Sequence, residues 1–281
     1  MLDPKAAKVI PVTQCRAGAE ARVDDAVAVE EPLEIRIAGD TVAITMRTPG
    51  HDRELALGFL FAEGIIRSVA DVSAVAHCGR TTDEGRANTL EVTPAPGVRI
   101  ELGTDGPAQR RGTVTSACGV CGRRSIDDLL ARCGPVTSDL VTSGAAIARA
   151  VRGLEAAQEL FGRTGGCHGA ALTNAEGVVE VAFEDVGRHN AVDKVVGSRL
   201  LAGALPLAAR MLVVSGRTSF EVVQKAVAAG VPVVIGVSAP SSLAVEMAHR
   251  AGITLVGFAR RDDFVVYGGE ERVRPLARAS A

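Results

Sequence analysis

The sequence predicts an α/β protein in two unequal parts: a smaller α+β unit at the N-terminus and a larger C-terminal unit with a mostly parallel sheet covered by helices. Two observations carry this. Before residue 50 the apolar residues alternate with period two, as in a half-buried antiparallel hairpin. From residue 143 onward, strand-length apolar runs exchange regularly with amphipathic helices, the pattern of βαβ crossovers. A chain of 281 residues has room for one large domain or two modest ones. The expected boundaries are 22–112 for the α+β unit, 113–135 for a mobile, cysteine-bearing loop with a short helix, and 136–272 for the second unit.

In the first unit Leu33, Ile35 and Ile37 point one way, Gly39-Asp40 makes a tight turn, and Val42, Ile44 and Met46 resume the alternation. A helix follows from about Glu54 to Glu63 and stops at Gly64, a residue suited to a left-handed C-terminal cap. Leu90 with Val92, and Val98 with Ile100 and Leu102, predict two more strands around the loop 94–97. The stretch 103–115 is polar and contains glycine, as an exposed loop does. Ser125 and Asp128 have capping-box spacing for a short helix reaching about Arg132.

In the second unit Ile147, Val151, Leu154 and Phe161 recur at helical spacing, giving one helix over 144–161 ended by Gly162. Strands are expected over 170–173, 178–183, 211–214, 231–237 and 253–258, with helices over 191–201, 220–229 and 243–251.

Hydrophobic residues make up 47% of the chain and charged residues 23%, as in an ordinary globular protein. A net charge of −2 leaves no global basic field, so nucleic acid and acidic lipid are not expected partners. The first residues carry an Asp, a Pro and two Lys before any apolar stretch of signal-peptide length, and no apolar run approaches a bilayer span. A cytoplasmic protein without membrane association is expected. Six cysteines at irregular spacing are too few for a disulfide scaffold in a chain of this length.

Polar loops collect at the strand ends of the second unit: Thr164-Gly165-Gly166-Cys167-His168, Glu184-Asp185-Val186-Gly187-Arg188-His189-Asn190, Ser215-Gly216-Arg217-Thr218-Ser219, and Ser238-Ala239-Pro240-Ser241-Ser242. Asn190 with Asp193, and Thr218 with Glu221, have capping-box spacing. Loops at the C-terminal ends of parallel strands line a ligand crevice, and the helix N-termini there favour anions such as phosphate. Arg188, Arg217 and Arg260 add guanidinium groups for bidentate phosphate contact, and His168 and His189 fall in the same crevice. The other reading is a set of ordinary caps and turns. Neither a GxGxxG nor a Walker A sequence is present, so the nucleotide class is not legible this way.

Cys118-Gly119-Val120-Cys121-Gly122 is the sharper motif. Two thiols at this spacing can close a disulfide, hand sulfur between them or share a metal. Arg123 and Arg124 beside them favour the thiolate. The metal reading needs four ligands, and Cys133, Cys167 and His168 are the available completions. His168-Gly169-Ala170 lacks the glutamate that a zinc deaminase places third as its proton shuttle.

Together with Met46-Arg47-Thr48-Pro49-Gly50, Glu54-Leu55-Ala56-Leu57-Gly58-Phe59, Glu63-Gly64-Ile65-Ile66, the run from Glu184 to Lys194, Val237-Ser238-Ala239-Pro240 and Val256-Gly257-Phe258-Ala259-Arg260, these motifs resemble those of the FdhD family of formate dehydrogenase accessory sulfurtransferases over nearly the whole chain. The resemblance implies a cytidine-deaminase-like, three-layer C-terminal domain without zinc chemistry. It implies a sulfur carrier that takes persulfide sulfur from a cysteine desulfurase and passes it to the bis-molybdopterin guanine dinucleotide form of the molybdenum cofactor, for formate dehydrogenase. The carrier then falls on Cys118 with Cys121 as its partner, and the cofactor segment on Phe258, Ala259, Arg260, Arg261, Asp262 and Asp263, joined by Arg188, His189, Ser215, Arg217 and His168. A guanine nucleotide such as GDP would occupy the same site, no resident metal is implied, and a homodimer is expected. A cofactor-binding chaperone that moves no sulfur, and a zinc-dependent hydrolase, are the rival expectations.

Overall fold

The computed structural model describes residues 5–78, 88–100 and 122–274. It opens with a hairpin that sequence periodicity did not indicate: β1 (Ala7–Arg16) pairs antiparallel with β2 (Ala19–Ala28) through a two-residue turn in which Ala17 and Gly18 both have positive φ. The expected start of the first unit at 22 falls inside β2. Little of this ribbon is buried, so it carries no inward stripe for a periodicity reading to find.

β3 (Glu31–Ile37) and β4 (Asp40–Arg47) form the expected hairpin, with two corrections. The turn is Ala38-Gly39 rather than Gly39-Asp40, both residues being left-handed at φ 51° and 88°. A bulge at Ile35/Arg36 then makes Val42 an extra residue, since Arg36 faces Thr41 and Ile35 faces Ala43. Past it Ala43 and Thr45 oppose Ile35 and Leu33, while Ile44 and Met46 turn to the other side of the sheet. β5 (Val72–His77), which was not expected, and β6 (Thr89–Pro94) complete the sheet in the order β4-β3-β6-β5. Residues 98–100 form no strand; the chain turns there, Val98 N donating to Ala95 O.

α1 (Asp52–Ala62) lays Leu55, Leu57 and Leu60 against Leu33, Ile35, Leu90 and Val92. Its end is held by α2 (Gly122–Cys133), whose Arg132 donates to the last carbonyls of α1, Ala62 O and Glu63 O, both at 2.6 Å. Gly64 permits this twice over. Its φ of 73° is the left-handed cap conformation, and a Cβ there would sit 2.0 Å from Arg132 Nη1. α2 begins at Gly122, so the helix start expected near Ser125 lies one turn too late.

The second unit continues with β7 (Thr142–Ser143), α3 (Gly144–Ala157), α4 (Glu159–Thr164), β8 (His168–Thr173), β9 (Val179–Asp185), α5 (Arg188–Leu201), β10 (Met211–Val214), α6 (Phe220–Ala228), β11 (Val233–Gly236), α7 (Ser242–Ala251), β12 (Thr254–Arg260), β13 (Asp263–Gly268) and β14 (Val273–Arg274), the last paired with β7. The single helix expected over 144–161 is broken at Gln158. The Glu184 carboxylate accepts the amides of Leu160 and Phe161 at 2.8 Å each, starting α4 afresh, and α4 runs past Gly162 to end at Gly165.

The sheet order is β13-β12-β11-β10-β8-β9. Only β10-β11-β12 are mutually parallel, while β8, β9 and β13 pair antiparallel. The sheet is therefore mixed rather than mostly parallel, because two hairpins close its edges. Met211, Val213, Val233, Ile235 and Val256 point toward α3, and Leu212, Val214, Val234 and Leu255 toward α5, α6 and α7. Helices thus cover both faces, in three layers.

The two units share a contact in which backbone meets backbone. α1 crosses α5 at Gly58 and Gly197: a Cβ on Gly58 would lie 1.9 Å from Asp193 O, and one on Gly197 would lie 1.9 Å from Glu54 O. Both overlaps are with main chain, which cannot swing aside. Replacing Gly197 with Ala is expected to destabilise the protein by about 2–3 kcal/mol or more, read as a lower urea midpoint. An unchanged midpoint would mean that the helices can separate at no cost.

Candidate functional site

Topology brings the polar loops together. β8 runs antiparallel to β10, so its first residue, His168, lies at the end where β10 and β11 finish. His168 is paired with Asp185, the last residue of β9, which delivers the 185–188 loop to the same edge. Hydrogen bonds join neighbouring loops. Gly169 N donates to Ser215 Oγ at 2.9 Å and Ser215 N to Gly169 O at 3.0 Å. Thr218 N donates to Ala239 O, Ser241 N to Thr218 O, and Phe258 N to Ser238 O, all within 3.2 Å.

At the centre stand His168, Arg188 and Gly216. A Cβ on Gly216 would meet His168 Nδ1 at 3.3 Å and Arg188 Cδ at 3.5 Å, so glycine leaves the space between them open. Arg188 Nε is buried without a hydrogen-bond partner, and Arg217 is exposed and in no ion pair among the described residues. Burial, followed by the charges of Arg188 and His189, holds His168 below the usual histidine pKa, so it is neutral near pH 7. Cationic groups that form no ion pair with a carboxylate among the described residues, at the start of α5 and before α6, suit an anion.

The remaining expected residues lie beside this centre or turn away from it. His189 turns to α6, where its Nε2 lies 2.9 Å from Ser219 Oγ and 2.8 Å from Glu221 Oε2. Both contacts use one ring nitrogen, so the trio cannot relay a proton from hydroxyl through imidazole to carboxylate. Burial, the largest single effect, would raise the Glu221 carboxyl, but the hydrogen bond and charge of His189 together with the charges of Lys225 and Arg188 hold it below the ordinary range. Ala259 is 1% exposed and packs in the core under α3, whereas Phe258 is 44% exposed with a left-handed φ of 51°. Arg260 pairs with Asp263 across the β12–β13 turn, which contains Arg261 and Asp262; Asp262 lies 3.8 Å from Arg152. Cys118 and Cys121 lie outside the described residues.

Cys167 is not a second nucleophile. It is 4% exposed and its Sγ donates to Glu184 Oε1 at 3.4 Å. Burial, then the charge of Glu184, pushes its thiol up to about 12. Cys133 is exposed at the far end of α2, and His168 faces away toward Arg188. No three His, Cys, Asp or Glu side chains gather as metal ligands among the described residues.

Sequence reasoning missed the lock beneath the crevice. The Asp185 carboxylate, fully buried, takes Lys194 Nζ at 2.7 Å and Thr48 N at 3.2 Å on one oxygen, and Gly187 N at 2.8 Å and Asn190 Nδ2 at 2.9 Å on the other. Lys194 also donates to Thr48 O and Glu184 O, and Thr48 Oγ1 accepts from Val186 N. Arg47 grips Asp52 with two bonds of 2.9 and 3.0 Å, fixing the bend from β4 into α1. The expected capping boxes dissolve here. α5 has Gly187 at its N-cap position, leaving Asn190 to Asp185 and Met46 O, while Asp193 pairs with Lys225 at 2.7 Å. The N-cap position of α6 is Ser219, not Thr218, and the Ser219 hydroxyl goes to His189 and Glu221 rather than to a helix amide. The one signal in the sequence was a helix carrying Asp193 and Lys194 side by side among valines, with glycine at 197.

With this geometry in view, comparison with known proteins is informative. A model described as the FdhD/NarQ family matches residues 28–274. A sulfur carrier protein FdhD of Anaeromyxobacter dehalogenans (strain 2CP-1) is 53% identical over 257 residues, covering 89% of each chain. A sulfur carrier protein FdhD of Mycolicibacterium paratuberculosis is 46% identical over 267 residues, covering 93% of this chain and 97% of that one. The crystal structure of a protein from Desulfotalea psychrophila described as a formate dehydrogenase accessory protein superposes with a TM-score of 0.74 at 26% identity, covering 96% of this chain and all of that one.

Replacing Lys194 with Met removes the cation but leaves the buried Asp185 charge. The expected loss is about 3–5 kcal/mol of stability, measured by urea unfolding. A loss below about 1 kcal/mol would show that the ion pair is dispensable.

Proposed function

The chain belongs to the FdhD/NarQ family, and on that premise we propose that it is a sulfur carrier serving formate dehydrogenase, a sulfurtransferase with Cys118 as its persulfide site. It takes sulfur from a cysteine desulfurase and delivers it, in the cytoplasm, to bis-molybdopterin guanine dinucleotide bound as substrate. The observation that carries the reading is kinship over most of the chain with sulfur carriers, in a sequence that places a thiol pair, Cys118 and Cys121, directly before α2.

The crevice supports the cofactor half of the proposal. A guanine dinucleotide offers phosphate charge, and the unpaired Arg188 Nε, the half-buried His168, the exposed Arg217 and the open space at Gly216 fit an anion of that kind. Exposed Phe258, tied to the crevice through Ser238, offers an aromatic face to a base. The three-layer unit is read as a cytidine-deaminase-like scaffold without deamination, since Ala170 is wholly buried in β8 where a deaminase needs its glutamate.

In the sulfur half, the Cys118 thiolate attacks the terminal sulfur of the donor's persulfide, forming a new persulfide and releasing the donor's thiolate. Cys121 thiolate then attacks Cys118 Sγ, which forms the Cys118–Cys121 disulfide and expels the outer sulfur as sulfide to the substrate. A two-electron reduction by a cellular dithiol restores the pair. Cys167, held protonated by burial and Glu184, takes no part.

After incubation with cysteine and a desulfurase, the protein is expected to gain about 32 Da per sulfur on the peptide bearing Cys118, and a Cys118→Ala variant is expected to gain none there. An adduct that persists in that variant would move the carrier elsewhere, and a wild-type protein that never gains mass would be a cofactor chaperone. Calorimetry with GDP tests the crevice. Arg188→Ala should weaken binding by roughly tenfold or more. Wild-type affinity should rise as pH falls from about 8 to about 6.5, because phosphate beside His168 raises a pKa that the free protein holds low. Unchanged affinity in the variant with a flat pH profile would remove the anion from this crevice.

A further inference from the structure

α3 and α4 meet at Gln158, whose φ of −86° and ψ of 68° lie outside the helix. The side chain at an N-cap position ordinarily accepts an amide two or three residues on. Here the Glu184 carboxylate accepts both of those amides, Leu160 N and Phe161 N, so the Gln158 side chain is released from capping. It lies over β8 instead. A Cβ on Gly169 would come within 2.8 Å of Gln158 Cγ and Cδ and 3.0 Å of Leu154 Cδ1. Gln158 is half-buried there, and its carboxamide enters no hydrogen bond among the described residues. Packing on Leu154 would be served as well by leucine; it does not need the amide.

Alternation along β8 fixes the side of the sheet. Ala170 packs toward α5 and Ala171 toward α3, so His168 belongs with the first and Gly169, with Gln158 above it, with the second. Gly169 is bonded in both directions to Ser215, at the edge where the loops of the crevice converge. The end of β8 therefore has Arg188 and His168 on one face and a neutral group with two donor hydrogens and an acceptor on the other. A nucleotide lying across this edge sets its phosphates on the α5 side and its base on the α3 side. Phe258, on β12, is separated from β8 by β10 and β11, so it meets a different part of a ligand.

We propose that Gln158 is a specificity-determining residue of the crevice, its carboxamide reading the lactam edge of a 2-amino-4-oxo heterocycle, the ring that guanine and pterin share. Gln158 Oε1 accepts from the ring N–H and Nε2 donates to the ring carbonyl, so both functions of the amide are used. A ligand without that edge leaves the amide unpaired in a half-buried place, and this difference is what discriminates. The inference rests on the reading of the crevice as the site of an anionic cofactor.

Calorimetry on the full-length protein with GDP, inorganic pyrophosphate and free pterin tests it. Gln158→Leu keeps the bulk and removes the amide. If the residue reads guanine, GDP should lose roughly tenfold in affinity while pyrophosphate is unchanged; if it reads pterin, the loss falls on pterin and spares GDP. Gln158→Glu should restore the affected ligand, measured for GDP relative to pyrophosphate, because a carboxylate accepts from both the ring N–H and the 2-amino group. A leucine variant in which neither heterocycle weakens, or a glutamate variant as weak as the leucine one, would overturn the assignment. A wild-type protein that binds neither GDP nor pyrophosphate would instead remove the anion site itself, and with it the premise of this inference.

Discussion

The Asp185 carboxylate is the constraint on which the rest of the structure depends. A buried charge is tolerated only when its lone pairs are filled, and here donors from separate segments fill them: Thr48 at the bend after β4, Gly187 in the loop, and Asn190 and Lys194 on α5. Those donors tie the N-terminal sheet, the end of β9 and the first turns of α5 to one point. The close crossing of α1 and α5 at Gly58 and Gly197 needs α5 held in rotation and in height, and this network supplies both.

The same arrangement explains the sign of the crevice. The acids near the sheet edge are committed inward: Asp185 to Lys194, Asp193 to Lys225, Glu184 to the amides of α4 and the thiol of Cys167, and Glu221 to His189. None of them forms an ion pair with Arg188 or Arg217, though the charge of Arg188 does act on Glu221. An overall charge of −2 therefore coexists with a locally positive mouth, and the polarity belongs to the partition of charges rather than to composition.

What the sequence displayed and what it concealed divide along range. Elements buried on two sides, such as Met211–Val214 and Val233–Gly236, are legible as continuous apolar runs between helices, and so is the convergence of their loops. Strand direction is not legible, because β8 and β9 read the same whichever way they run, so the mixed pairing shows only in the structure. The break between α3 and α4 comes from Glu184, more than twenty residues away, and the partners of Asp185 and Thr48 from 137 residues apart. In the candidate site His168, Arg188 and Ser215 meet as their motifs indicate. His189 does not join them, because a carboxylate on the next helix competes for it.

Arg132, clasping the final carbonyls of α1, closes the chain between residues 64 and 132 into a ring whose two feet stand on one helix end. The free energy of closing such a ring rises only with the logarithm of its length, about 0.6 kcal/mol for each doubling. Added length between those feet that leaves β5, β6 and α2 intact therefore costs the closure little, whereas the strands themselves, with Leu90 and Val92 in the core, are fixed by packing.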